Sequence, residues 1–284
     1  MNINRSAAVD LFKQHGRFRY YGAQKLPIDA YKDIILLHEF AHHVMVLSHQ
    51  WAHGQKQITH ITQTRYQAYH DKNTEHPQYG WLIEMMYRRK ITPEQIKNFL
   101  QSALLNTTNI TYQTYDELKV YINGVAEWIG MIVADIIGCA PPCHPHAQAL
   151  GEWIWLMHLL LDLDKNHDMH LYLPQADMHK FGISREDITY ARYSGVPCQW
   201  IRDMVKHYID EHEELSTYAV WWIWYLNKTW HLGVAELVKF YENYVVIIQS
   251  YDYNVFHPRF SVGVISKIMW YCTYRLYSLI WPKH

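Results

Sequence analysis

A short histidine-rich segment, LLHEFAHHVMVLSHQ, contains the spacing of a zinc-peptidase motif. In HExxH, here His38, Glu39 and His42, two histidines one helical turn apart hold zinc and the glutamate acts as general base. The chain has 20 histidines, and we expect one accidental match in about fifteen such chains. The Gly-x-x-His continuation of one large peptidase class is absent, because Met45 and Ser48 stand at those places. A zinc peptidase is therefore an alternative that the surrounding sequence does not favour.

The same segment carries a longer stripe of side chains that could bind a metal or a polar ligand. Their steps of four, three, four and four predict one continuous face of a single helix: His38, His42, Met45, His49 and His53. A buried imidazole needs a hydrogen-bond partner, so four of them on a core-facing stripe are unusual. The stripe is predicted either to line a polar cavity or to face solvent.

Composition restricts the classes of function. The chain has 284 residues and a formal net charge of -1, so it lacks the basic surface that nucleic-acid binding requires. Its 12 Trp and 23 Tyr suit an aromatic core, a large apolar cavity or a surface in peripheral contact with a membrane. The N-terminus lacks an apolar signal segment, and Glu127 and Asp135 interrupt the longest apolar run. We therefore expect a cytoplasmic protein that does not cross a membrane.

The segment GCAPPCHPHA is a second place where a metal could bind, through Cys139, Cys143, His144 and His146. The spacing matches no common zinc module, and the paired prolines predict a loop between two helices. Four cysteines without a secretory context also argue against a disulfide framework. We therefore expect a loop with reduced cysteines.

Helical periodicity dominates the rest of the chain. Thr92 before Pro93 and Thr114 before an acidic turn are strong helix starts. A single helical pattern also runs over residues 26–54, where Gly54 is the predicted stop. Patterns typical of strands, repeats and linkers are scarce. We predict one all-α domain over residues 1–284.

An ordered series of segments resembles one protein family. LYLPQADMHKFGISREDI, at residues 171–188, resembles the segment YLP-x-x-D-x-x-x-F-G-(I/V)-S of squalene/phytoene synthases. Further family segments are matched in the right order, over about residues 18–275, by LLHEFAHHV, ITPEQIKNFLQSALLN, TYDELKVYINGVAEWIGMIVADIIG, AQALGEWIWLMHLLLDL and YDYNVFHPRFSVGVISKI. HEFAH then corresponds to part of an ordinary helix of that family.

The resemblance implies an isoprenoid-synthase-like bundle of helices around a deep cavity. It also implies head-to-head condensation of two prenyl diphosphates, with Mg²⁺ held by two aspartate-rich motifs. An aromatic pocket would shelter the carbocation that forms when the diphosphate leaves. The chain departs from the first motif, because His42 replaces its arginine and its aspartates are replaced by Met45, Val46 and His49. These side chains are poor ligands for hard Mg²⁺.

The second motif is retained in part. Asp162 matches its leading aspartate, and Asp164 is a candidate for the later one. Two polar family residues are replaced by Trp155 and His158. Glu127 stands where the family has a small glycine, so it could add a carboxylate to the cavity.

Besides the zinc peptidase, the sequence leaves three functional interpretations open. The first is a diverged family member whose large aromatic cavity binds an isoprenoid or another lipophilic ligand, with no tightly bound metal. The second is an active Mg²⁺-dependent prenyltransferase, and the third is an enzyme with Zn or Fe bound in the same cavity. The predicted cavity residues are His38, His42, Met45, His49, Tyr121, Glu127, Trp155, His158 and Asp162. The predicted metal ligands are His42, His49, Asp162 and Asp164.

Overall fold

Helices form nearly all of the structure. The computed structural model describes residues 26–108, 111–139, 141–163, 172–220, 226 and 228–257, and no strand occurs among them. The helices are α1 Ile28–Ser48, α2 Trp51–His70, α3 Gly80–Arg89, α4 Pro93–Leu105, α5 Tyr115–Ile122, α6 Trp128–Ile136, α7 His144–Asp162, α8 Gln175–Lys180, α9 Arg185–Ser194, α10 Gln199–Glu211, α11 Glu213–Val220 and α12 Lys228–Ser250. A π-helix, Asn123–Glu127, separates α5 from α6, and a 3₁₀ turn, Pro141–Cys143, precedes α7. The predicted all-α class is confirmed.

The predicted helix starts are confirmed by their caps. At the start of α4 the Thr92 side chain accepts a hydrogen bond from the Gln95 backbone N–H, and the Gln95 side chain accepts one from the Thr92 N–H. Thr114 caps α5 by accepting from the Glu117 N–H at 3.3 Å. The Glu117 carboxylate then accepts from the Gln113 N–H at 2.6 Å. Both caps satisfy backbone donors that would otherwise lack partners at a helix start.

The helix predicted over residues 26–54 is two helices. α1 ends at Ser48, and α2 begins at Trp51. Gly54 lies in the first turns of α2 and is not a stop. A Cβ atom at Gly54 would lie 1.8 Å from the backbone oxygen of Leu47. Glycine therefore permits α2 to begin directly against the end of α1, which a sequence pattern does not reveal.

This break also ends the predicted histidine stripe. His49 is the C-cap of α1, and His53 lies on α2. Both side chains are exposed. The prediction of one continuous face is therefore wrong beyond Met45, because the chain changes direction at the helix break.

Two hydrophobic clusters hold the helices together. One is built from α1 to α4 with Ile132 and Ile136 of α6, and the other extends from α5 to α12. Ile34 and Met45 of α1 pack against both clusters. α1 therefore lies where the two clusters meet.

A close crossing fixes α7 against the π-helix and α6. A Cβ atom on Gly151 would lie 2.5 Å from the backbone oxygen of Ala126, and one on Gly130 would lie 2.4 Å from the backbone oxygen of Ala147. Both distances are too short for any side chain, so the two backbones touch at these positions. The crossing sets the relative position of α5 and α7, which carry four of the predicted cavity residues.

The loop between α6 and α7 is present as predicted, but its cysteines are not reduced. Cys139 and Cys143 form a disulfide, which corrects the expectation drawn from the absence of a secretory context. The reason is local: one cysteine ends the α6 segment, the other precedes α7, and the short loop brings them together. His144 contacts Asp135 at 2.8 Å, whereas His146 contacts a backbone oxygen of α11 at 2.9 Å. The two histidines thus have different partners.

Candidate functional site

An aromatic cluster connects α5, α7 and the segment before α8. Tyr121 and Trp155, both predicted cavity residues, meet edge to face with ring centroids 5.8 Å apart. Tyr172 stacks on Tyr121 at 5.5 Å and meets Trp155 edge-on at 5.6 Å. The structure therefore brings two predicted residues together through a third that we did not predict. The signal for Tyr172 was its place in the YLP segment.

One amide organises the hydroxyl groups of this cluster. Asn106, the C-cap of α4, donates to the Tyr121 hydroxyl at 2.7 Å and to the Tyr172 hydroxyl at 2.9 Å. Burial raises the pKa of Tyr121 well above its ordinary value and also raises that of Tyr172. Both phenols are therefore neutral at physiological pH. The cluster presents uncharged rings whose polar ends are already hydrogen-bonded.

Asp162 lies beside the aromatic cluster. It ends α7 and is half-buried. The pKa of Tyr172 is raised first by burial and, to a smaller extent, by the negative charge of Asp162. Asp162, the predicted match to the second motif, is thus close enough to the cluster for its charge to act on Tyr172. Asp164, the other predicted carboxylate ligand, lies outside the described residues.

His158 is positioned by α12. Its Nε2 atom lies 2.9 Å from the hydroxyl of Tyr241, and the two rings meet edge to face with centroids 5.8 Å apart. One ring nitrogen of His158 is therefore engaged in a hydrogen bond between α7 and α12. Tyr241 was not predicted, because it is 83 residues away in the sequence and no motif marks it.

The HExxH residues do not form a peptidase site within the described structure. The rings of His38 and His42 are parallel, with centroids 6.4 Å apart. Glu39 is buried, one of its carboxylate oxygens has no hydrogen-bond partner, and burial raises its pKa. A general base must instead reach a metal-bound water. Among the described residues, no three His, Cys, Asp or Glu side chains come together to hold a metal ion.

The residues predicted to stand at the first aspartate motif, Met45, Val46 and His49, do not suit Mg²⁺. Met45 is half-buried and packs against both hydrophobic clusters. Val46 is 43% exposed, and His49 is exposed at the end of α1. A thioether, an isopropyl group and an imidazole provide none of the hard oxygen atoms that Mg²⁺ requires. The lining of one cavity by His42, His49 and the α7 residues stays a prediction.

Glu127 belongs to a buried ion-pair network. Its carboxylate contacts the Lys119 ammonium at 2.9 Å and accepts from the Asn123 side chain at 3.1 Å. Lys119 also contacts the buried carboxylate of Glu152, which accepts a hydrogen bond from the Tyr115 hydroxyl at 2.8 Å. The π-helix carries Glu127 and Asn123, and this rare geometry often marks functional sites. The network ties α5 to α7, and a role for Glu127 in the cavity stays a prediction.

A histidine extends this network towards the YLP segment. His212 contacts the ring of Tyr115 and stacks on Tyr208, with centroids 5.2 Å and 6.0 Å away. Burial lowers the pKa of His212. The hydroxyl of Tyr208 donates to Asp177 at 2.6 Å, and Asp177 is the aspartate of the YLP segment. Asp177 is therefore engaged by a tyrosine of α10.

The sequence matches a known protein family along most of its length. The family model described as squalene/phytoene synthase matches residues 12–265. The chain belongs to the squalene/phytoene synthase family. The 15-cis-phytoene synthase of Synechocystis sp. is 27% identical over 203 residues, which are 66% of this chain and 59% of the relative. Phytoene synthase 2 of Zea mays is 25% identical over 187 residues, 62% of this chain and 45% of the relative. The matched region thus spans about half the length of these relatives.

Solved structures confirm the isoprenoid-synthase-like fold of this family member. A dehydrosqualene synthase in complex with a ligand superposes with a TM-score of 0.82, at 14% identity, over 97% of this chain and 96% of the other. The squalene synthase HpnC from Alicyclobacillus acidocaldarius has a TM-score of 0.76, at 16% identity, over 88% of this chain and 94% of the other. At such identities the likeness establishes the fold alone.

Helices that cross a membrane need about 20 predominantly apolar residues. In the described part of the chain, no helix is both long and apolar enough to do so.

Proposed function

We propose that this chain is a diverged squalene/phytoene synthase-like protein that binds an isoprenoid or another lipophilic molecule without condensing prenyl diphosphates. One observation carries the proposal: by the resemblance described above, Met45, Val46 and His49 replace the aspartates of the first motif. Condensation in this family depends on Mg²⁺ to stabilise the diphosphate leaving group. The donor set at these positions does not fit that ion, so no step of the proposal involves it.

The aromatic cluster supports binding of an apolar chain. Tyr121, Trp155 and Tyr172 present large apolar ring surfaces, and the hydroxyls of the two tyrosines are satisfied by Asn106. Trp155 is half-buried, so part of its ring is open to a ligand. Rings of this size contribute strongly to apolar binding and do not demand a charged partner.

Asp162 favours one competing function, an active head-to-head prenyltransferase. This aspartate is retained at its motif position and lies next to Tyr172. A single carboxylate offers far fewer oxygen ligands than the six that Mg²⁺ prefers. We therefore place catalysis second.

The test combines a product assay with a binding assay. Purified protein is incubated with labelled farnesyl or geranylgeranyl diphosphate and Mg²⁺ or Mn²⁺, and apolar products are extracted. We expect no squalene, phytoene or cyclopropyl precursor. If the wild type forms such a product and the Asp162→Ala variant does not, the proposal is overturned and the active prenyltransferase is supported.

The binding assay uses farnesol, which has the apolar chain without the diphosphate. We expect saturable binding that Trp155→Ala weakens by about tenfold, because a large ring contact is lost. Trp200→Ala is the matched control, since Trp200 lies on α10 and is 60% exposed. Equal affinity of wild type and Trp155→Ala would contradict binding at the aromatic cluster.

A further inference from the structure

A separate cavity of about 110 Å³ lies between α1, α2 and the start of α3. α1 contributes Phe40 and His43 to its wall. At 100° per residue, these two positions lie on the side of α1 opposite His38, His42 and Met45. The cavity is therefore distinct from the site considered above.

Three aromatic rings and one aliphatic side chain form the apolar wall of this cavity. Phe40 and Trp81 meet edge to face with centroids 6.3 Å apart. Tyr79 and Ile61 line the cavity beside them and are buried. Flat ring faces at such spacing suit a flat ligand, because they can contact it along its face and edge.

The polar part of the wall consists of amides, a phenol and two imidazoles, those of His43 and of the exposed His60. Gln57 and Gln78 are exposed at its rim and provide amide donors and acceptors. Burial lowers the pKa of His43 and raises that of Tyr79, so both side chains are neutral at physiological pH. None of the residues that line this cavity is a lysine, an arginine or a carboxylate. A cationic ligand would lose its hydration without gaining a counter-charge from these residues.

One donor in the wall lacks an acceptor. The indole N–H of Trp81 is buried and has no hydrogen-bond partner. Buried polar groups are normally paired, and each exception requires an explanation. Because this nitrogen has almost no accessible surface, a ligand oxygen would become its acceptor only after a small rotation of the indole ring within the wall.

We infer that this cavity binds a single uncharged aromatic or heteroaromatic ring that carries an amide or hydroxyl group. An engineered protein cavity of about 150 Å³ holds benzene, so about 110 Å³ leaves room for one ring at most, with its polar group at the rim beside the exposed Gln57 and Gln78. A prenyl chain of about 15 carbon atoms is too large for about 110 Å³. The inference is independent of the proposed function.

The test uses benzamide as the probe, with binding followed by calorimetric titration and ligand-detected NMR. We expect saturable binding of benzamide. Its non-planar analogue cyclohexanecarboxamide and its cationic analogue benzamidine should each bind at least about tenfold more weakly, because one lacks the flat ring and the other carries a charge. Farnesol should not displace benzamide, which separates this site from the isoprenoid site.

Two kinds of variant locate the binding. His43→Trp fills the cavity and should abolish benzamide binding, whereas His53→Trp places the same side chain at an exposed position of α2 and should not. Gln78→Leu, an exposed change that leaves the core intact, should weaken binding about three- to tenfold. Circular dichroism confirms that each variant is folded. Benzamide binding that is non-saturable, or that survives unchanged in Gln78→Leu and any folded His43→Trp, would overturn the inference.

Discussion

Lys119 supplies the positive charge that two buried carboxylates share. It contacts both Glu127 and Glu152, and these three side chains join the π-helix, α5 and α7. Burial lowers the pKa of Lys119, but hydrogen bonds with Glu152 and Glu127 outweigh this effect, and the net pKa is raised. Lys119→Met keeps most of the apolar stem and removes the charge. Two buried carboxylates would then face each other without a cation.

The size of the effect follows from the burial of the partners. Removing one member of a fully buried ion pair costs about 3–5 kcal/mol, because the other charge is left unpaired. The Lys119 side chain is 36% exposed, and those of Glu127 and Glu152 are 8% and 7% exposed. Water therefore reaches part of the pair, and we reduce the expected loss to about 2 kcal/mol.

A matched surface pair provides the control. The side chains of Lys97 and Glu94 are 41% and 61% exposed and lie 3.4 Å apart. Such pairs contribute at most about 0.5 kcal/mol on a helix surface. Lys97→Met removes the same charge from an exposed site and should therefore change the free energy of unfolding very little.

Urea denaturation followed by circular dichroism measures both variants. We expect a loss of about 2 kcal/mol in Lys119→Met and less than about 0.5 kcal/mol in Lys97→Met, with similar m-values. Adding Glu127→Gln to Lys119→Met should recover part of the loss, because one unpaired carboxylate is neutralised. If the two lysine variants lose the same free energy, the reasoning about the buried network is refuted.

Two further predictions concern buried basic side chains. Arg65 is fully buried, its three guanidinium nitrogens have no hydrogen-bond partner, and burial lowers its pKa to about 10. Arg65→Met should therefore raise the free energy of unfolding, measured in urea, by about 1–3 kcal/mol. A decrease would contradict the unpaired state of the guanidinium group. Burial lowers the pKa of His212 from 6.5. As the pH falls, the imidazole is therefore protonated in the unfolded chain before it is protonated in the folded one. The stability that is present above about pH 6.5 is lost below it. His212→Gln should therefore flatten the decline in unfolding free energy between about pH 7.5 and pH 5, and an unchanged slope would contradict the burial.

Local signals were sufficient for the fold class and for several helix ends. The pattern at Thr92 predicted a cap that is present with both of its reciprocal hydrogen bonds. The periodicity over residues 26–54 predicted a helix correctly but missed the turn after Ser48. Hydrophobic periodicity indicates which face of a helix is apolar. It cannot indicate the close approach of Gly54 to Leu47, where the chain changes direction.

The site was predictable only where motifs marked it. Tyr121 and Trp155 were expected at one cavity, and the structure shows that their rings meet. Asn106 donates to the hydroxyls of Tyr121 and Tyr172, and His158 contacts Tyr241 on α12; the contacts with Tyr172 and Tyr241 join segments that are 66 and 83 residues apart in the sequence. Pairings of this kind depend on tertiary packing, so neither composition nor spacing can indicate them.

The replacements predicted at the first aspartate motif are consistent with one another in electrostatic terms. Three aspartates on one helix repel each other unless a cation neutralises them. If only the cation were lost, the remaining carboxylates would destabilise α1 where it meets both hydrophobic clusters. Met45 removes one such charge and packs against both clusters, while Val46 and His49 are exposed. Asp162, predicted to match the second motif, is half-buried, and Met45, Val46 and His49 provide no carboxylate beside it. The fold can therefore persist without the metal, which is what a binding function in the same bundle requires.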